Sequence, residues 1–135
     1  MKEYAPRSID DVRAFLQGRH RAVLSTVSAD GAPHQVVVDY AVDPAGLIVN
    51  GRVDRRWVRN LRRDQRVSAL IHDPADVTHW VRLTGSAELL REGDDAAVED
   101  AMTMARHYGD DAEQFRGQHR VSWRIVAVEV LERAE

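Results

Sequence analysis

The chain has 135 residues, a formal net charge of −3, 44% hydrophobic and 30% charged residues, which is the balance of a globular protein and excludes fibrous, disordered and membrane-spanning classes. It has no cysteine, so disulfides, thiolate nucleophiles and cysteine-held zinc or iron–sulfur centres are ruled out. The only lysine is Lys2, which leaves no internal lysine for Schiff-base chemistry.

This length predicts one domain. The opening MKEYAPRSIDD lacks the apolar core of a signal peptide, and no apolar run approaches the length that crosses a bilayer, so a cytoplasmic protein without a membrane partner is expected. Ser8, followed by Asp10 and Asp11, marks a helix start with a side-chain cap and acids at the positive end of the dipole. Ile9, Val12, Phe15 and Leu16 then share one face, and Gly18 fits the stop. Residues 21–28 and 34–42 read as two strands joined at Asp30-Gly31, a pair that tolerates the positive φ of a tight hairpin turn. Val36, Val37 and Val38 break alternation, which predicts burial on both faces, by a barrel interior and by a helix or another subunit. A turn at 43–46 leads to a short strand at 47–49.

After Asn50-Gly51 the pattern turns helical, with Asp54 as the expected N-cap. Arg55, Arg59, Arg62 and Arg66 form one charged stripe opposite Trp57, Val58 and Leu61. Further strands are predicted at 67–71, 78–90, with Gly85 as a bulge or bend, and 120–132. A last helix opens at Gly93-Asp94-Asp95 and places Val98, Ala101, Met102, Ala105 and Tyr108 on one face. The sum is about six antiparallel strands with about three helices, a mainly β fold in the form of a small barrel with peripheral helices.

The stretch from Asn50 to Pro74 holds seven arginines against three aspartates, +4 within a chain of −3. Positive charge so confined on an acidic protein points to a localised anion site rather than to nucleic acid. A helix start after Asn50-Gly51 offers free amides to an anion, and guanidinium forks grip two oxygens at once. The six histidines show no metal-ligand spacing, so no metal is expected. No nucleophile elbow, Rossmann or Walker sequence occurs either, which leaves the catalytic residues unassigned.

The runs LSTVSADGAPHQVVVDYAVD, GLIVNGR, RNLRRDQRVSALIHDP and WVRLTGSAEL resemble the pyridoxamine 5'-phosphate oxidase-like split β-barrel proteins, and within them the subgroup that uses the deazaflavin coenzyme F420. The resemblance covers about residues 10 to 132, with the Arg59–Asp64 block as its most specific part. It implies a homodimer with two cofactor sites at the interface, and hydride transfer between F420 and a small unsaturated or heteroaromatic substrate. The ring would lie against Val36, Val38, Asn50, Gly51 and Arg52, and the phosphate against Arg55, Arg56, Arg59 and Asn60. By position the neighbouring subunit would contribute His79 and Trp80. Relatives usually carry a lysine where this chain has Trp57, which reads either as a ring-stacking plane with Arg55 and Arg56 supplying the charge, or as a core or interface anchor. FMN on the same fold, and a non-catalytic cofactor- or tetrapyrrole-binding protein, are the alternatives.

Overall fold

The computed structural model describes residues 5–18, 20–93 and 95–134; Lys2 and Asp94, named above, lie outside them. Eight strands and three helices follow in order: β1 Ala5–Arg7, α1 Ile9–Leu16, β2 Ala22–Val27, β3 Pro33–Val38, β4 Tyr40–Asp43, β5 Gly46–Arg52, α2 Arg56–Arg63, β6 Arg66–Asp73, β7 Asp76–Gly93, α3 Ala96–Tyr108 and β8 Arg120–Arg133, with a 3-10 turn at Ala112–Phe115 before the last strand. The sheet runs β3-β2-β6-β7-β8-β5-β4, with β1 added to β8, and every pairing is antiparallel.

That order forces the shape. Strands β3 and β4 stand at opposite ends of the path, yet Asp39 alone joins them, and one intervening residue spans only about 7 Å. The sheet must therefore curl until its ends meet, giving the split barrel expected from the sequence. The single strand predicted over 34–42 is two for the same reason: Val38 pairs with Ala22 of β2, whereas Tyr40 pairs with Val49 of β5. Strand β1, not anticipated, pairs with the end of β8 and is tied there by Arg7 to Glu132 at 3.0 Å.

Local signals account for much of the rest. Ser8 and Asp11 form a reciprocal capping box at the start of α1, which buries Ile9, Val12 and Leu16. Gly31 takes φ 86° in the β2–β3 turn, where Asp30 accepts the amide of Ala32. At Gly85 the β7–β8 register shifts, and a Cβ there would stand 1.9 Å from the carbonyl oxygen of Val126, so only glycine fits the bend.

The core gathers Leu24, Leu47, Ala69, Ile71, Leu83 and Ile125 from the strands with Leu16 of α1 and Trp57, Val58 and Leu61 of α2. Helix α3 packs outside the barrel wall on Ala97, Val98, Ala101, Met102, Met104 and Ala105. The valine triplet departs from the expectation of burial on both faces. Val38 is buried and Val36 half-buried, but Val37 is 63% exposed, because β3 alternates normally and nothing among the described residues covers its outer face.

Candidate functional site: a cationic cleft at the split

Strand β4 pairs only with residues 46–49 of β5, so the Asn50–Arg52 end of β5 runs past it with no strand on its outer side, where the Arg52 carbonyl accepts the Arg55 amide at 3.1 Å. Strand β3 pairs only with β2. The two unpaired edges border one cleft of 610 Å³, lined by Val36, Val38, Asn50, Gly51, Arg52, Arg55 and Trp57 among others. A second hollow, of 440 Å³, holds Arg56, Arg59, Asn60 and Arg63 beside the Ser28–Asp30 turn. The structure thus brings ten of the expected site residues to two concavities. It leaves the other two elsewhere within the chain. His79 packs on Phe15 at 4.3 Å and meets Glu132 at 3.1 Å, and Trp80 pairs across the sheet with His72 and Arg133. Arg120 and Arg133 bound one strand, on the order of 40 Å of chain apart.

Helix α2 has no side-chain cap. Arg55 occupies the N-cap position without a capping bond, and Asp54, expected there, instead lies 3.3 Å from Arg52. An uncapped start leaves amides without intrahelical partners, at the end of the helix where the dipole favours an anion. The arginines sort cleanly. Arg62 pairs with Glu92 at 2.7 Å, Arg66 with Asp64 at 2.7 Å, and Arg63 donates to the carbonyl of Val27 at 2.6 Å. Arg66 holds the Asp64 carboxyl down at about 2. Among the described residues no carboxylate pairs with Arg55, Arg56 or Arg59, all three exposed. Asp30 shares the hollow with Arg56 and Arg59, but its carboxylate accepts from Ala32 instead.

The other predicted residues have defined tasks. Trp57 is 4% exposed and its ring would touch a Cβ at Gly51 at 2.4 Å, so it anchors α2 on β5 while its edge borders the cleft. Asn60, buried, donates to Thr26 at 3.0 Å and accepts from Arg63 at 3.1 Å. Asn50 donates to the carbonyl of Ala97 at 2.7 Å and to Ser122 at 2.9 Å, and accepts from Arg120 at 2.7 Å.

Arg120 is the residue that sequence reasoning missed. It stands opposite Arg52 in the β5–β8 register, a like-charge pair that a sheet ordinarily avoids. Burial, then the charges of Arg52 and Arg55, push its guanidinium down to about 10. The Nε of Arg52 is buried and makes no hydrogen bond, Asp54 being out of line with it. Only the strand register exposes this arrangement, and no local motif carries it. Tyr40, by contrast, lies outside the chemistry: 3% exposed, it donates to the carbonyl of Leu16 at 2.7 Å.

A curled antiparallel sheet, open at one seam with a helix beside the opening, is a split β-barrel. The chain belongs to the pyridoxamine 5'-phosphate oxidase family, which it matches over residues 8–133, and falls with its F420-dependent subgroup. It is 34% identical over 103 residues, 76% of this chain and 73% of the other, to an F420H(2)-dependent biliverdin reductase of Mycobacterium tuberculosis. Among solved structures it superposes on a conserved hypothetical protein of Mycobacterium tuberculosis with a TM-score of 0.76 and 26% identity, covering 94% of this chain and 85% of that one. An F420 reductase, at 0.71 and 18% identity over 85% and 93% of the two chains, shares the fold. No helix among the described residues is long and apolar enough to cross a membrane.

Proposed function

We propose that this protein is an F420-dependent oxidoreductase acting on a flat, conjugated small molecule, of the kind named for its biliverdin-reducing relative. The observation that carries the reading is the uncapped start of α2, with Arg55 lining the cleft and Arg56 and Arg59 lining the hollow along the same helix, none of the three paired with a carboxylate among the described residues. A phosphate on the cofactor fits that helix start, where amides and guanidiniums converge. The edges of β3 and β5 offer backbone donors and acceptors to the rim of a planar ring.

In this assignment Arg55, Arg56 and Arg59 hold the anionic part. Val36, Val38, Asn50 and Gly51 border the ring, and Trp57 and Asn60 fix the helix that presents the arginines. The bound deazaflavin supplies the hydride, which is why no acid–base triad is required of the chain. What the protein contributes is orientation, exclusion of water and charge. His79 and Trp80 reach such a site only from a second subunit, so the reading includes a homodimer.

The test is a side-by-side titration of the apo protein with F420 and with FMN. F420 is expected to bind at micromolar affinity or better. Arg55→Ala/Arg56→Ala should weaken it about tenfold or more, because charge-assisted hydrogen bonds exceed neutral ones. FMN binding with F420 ignored would move the protein to the flavin branch of the fold, and unchanged affinity in the double variant would remove those arginines from the site.

A further inference from the structure

Within one subunit, every group assigned to the cofactor lies on β3, on β5 or on α2 and its N-cap. The rest of the same cleft is built by the chain from the 3-10 turn into β8, with Phe115, Gln118 and Arg120. Arg120 is held there as few surface arginines are. Its Nε donates to Asn50, a terminal nitrogen donates to Gln118, and its guanidinium stacks over the Phe115 ring at 4.7 Å. Asn50 is held in turn by Ser122, Ser122 donates to Asp100 at 2.6 Å, and Arg91 donates to Asp100 at 2.5 Å.

This chain of hydrogen bonds ends on a carboxylate, but one spent on Ser122 and Arg91. Among the described residues no acid reaches Arg120 itself, and the charges that act on it are the cations Arg52 and Arg55. A half-buried guanidinium fixed by neutral partners, beside two like charges and facing a cavity, is arranged for an anion that arrives with a ligand.

We propose that Arg120 is a substrate-anchoring residue that binds a carboxylate, which narrows the substrate class to flat conjugated acids; this rests on the cofactor assignment above. Phe115 gives the planar body of such a molecule an aromatic neighbour, and Arg52 adds a second cation for a second acidic group. Ser122 and Asp100 act through Asn50 as positioning residues and touch no ligand.

The test compares biliverdin with its dimethyl ester, which keeps the conjugated body and removes both carboxylates, in equilibrium titrations followed by absorbance. Arg120→Met is expected to weaken the diacid about tenfold while leaving the ester and F420 within about twofold, with the apo variant melting within a few degrees of the parent. Ser122→Ala should weaken the diacid by a smaller factor and spare the ester. Equal loss for diacid and ester would reduce Arg120 to a structural role and overturn the proposal. A loss confined to F420 would also overturn it, by placing the anion on the cofactor. Failure of the parent protein to bind the diacid at all would overturn it outright. The diacid and ester arms run without cofactor, so failure of F420 to bind would sink the cofactor assignment and still leave the carboxylate question answered.

Discussion

Arg52, Arg55 and Arg120 show what a single residue's surroundings decide. The same guanidinium is spent where Glu92 or Asp64 meets it, as at Arg62 and Arg66, and open to a ligand where, as at Arg55, no described carboxylate does. Tyr40 illustrates the opposite fate, a titratable group consumed by the fold. Burial raises its hydroxyl above the ordinary value of 10.0, and Tyr108, which donates to the carbonyl of His20 at 2.5 Å, moves the same way for the same first cause. A pKa raised in the folded state means that the unfolded chain loses its proton first as pH climbs. The stabilisation is whole below about pH 10 and declines above it. Tyr40→Phe is therefore expected to lose about 1 kcal/mol at neutral pH with its hydrogen bond. It should then fall less steeply than the parent between neutral pH and about pH 10.5, as urea titrations at the two extremes will show. An equal decline in both proteins would remove Tyr40 from the alkaline transition.

At the scale of elements, the spacing of α2 from β5 is set by one missing methyl group. A Cβ at Gly51 would stand 2.4 Å from the Trp57 ring, which is itself buried and has no room to yield. Gly51→Ala should cost about 1–3 kcal/mol and push the amino end of α2 off its strand. Weaker F420 binding is expected with a lowered melting temperature, while unchanged melting would show that the helix accommodates the methyl freely. Much of this element was legible in the chain. The opposition of arginines to Trp57, Val58 and Leu61 gave the helix and its buried face, as Ser8 with Asp11 gave α1 and Asp30-Gly31 the first hairpin. What could not be read was which arginines remain over, because their partners Glu92 and the carbonyl of Val27 come from distant strands. Arg120 stayed hidden for the same reason, since its company is fixed by register and not by neighbours in sequence. The break at Asp39 also depends on pairing, as each side of it answers to a different strand.

For the molecule as a whole, the outward rows of the barrel wall are incompletely covered. Val37, Val23 and Leu70 line up across β3, β2 and β6, with Val37 63% and Leu70 38% exposed. An apolar row of this kind is what a second subunit would cover, and a second subunit is what would carry His79 and Trp80 toward a cofactor. Val37→Asp is expected to turn a dimer into a monomer in light scattering and to weaken F420 binding with it. A parent protein that runs as a monomer at all concentrations would remove the shared-site reading, whatever the affinity.

The bare margins of β3 and β5 at the seam carry one more consequence. Unpaired strand margins are templates on which another chain can add itself, and here two of them border one cleft. Storage without ligand should favour slow clumping through this seam, and whatever fills it protects the protein from its own copies as well as equipping it for chemistry.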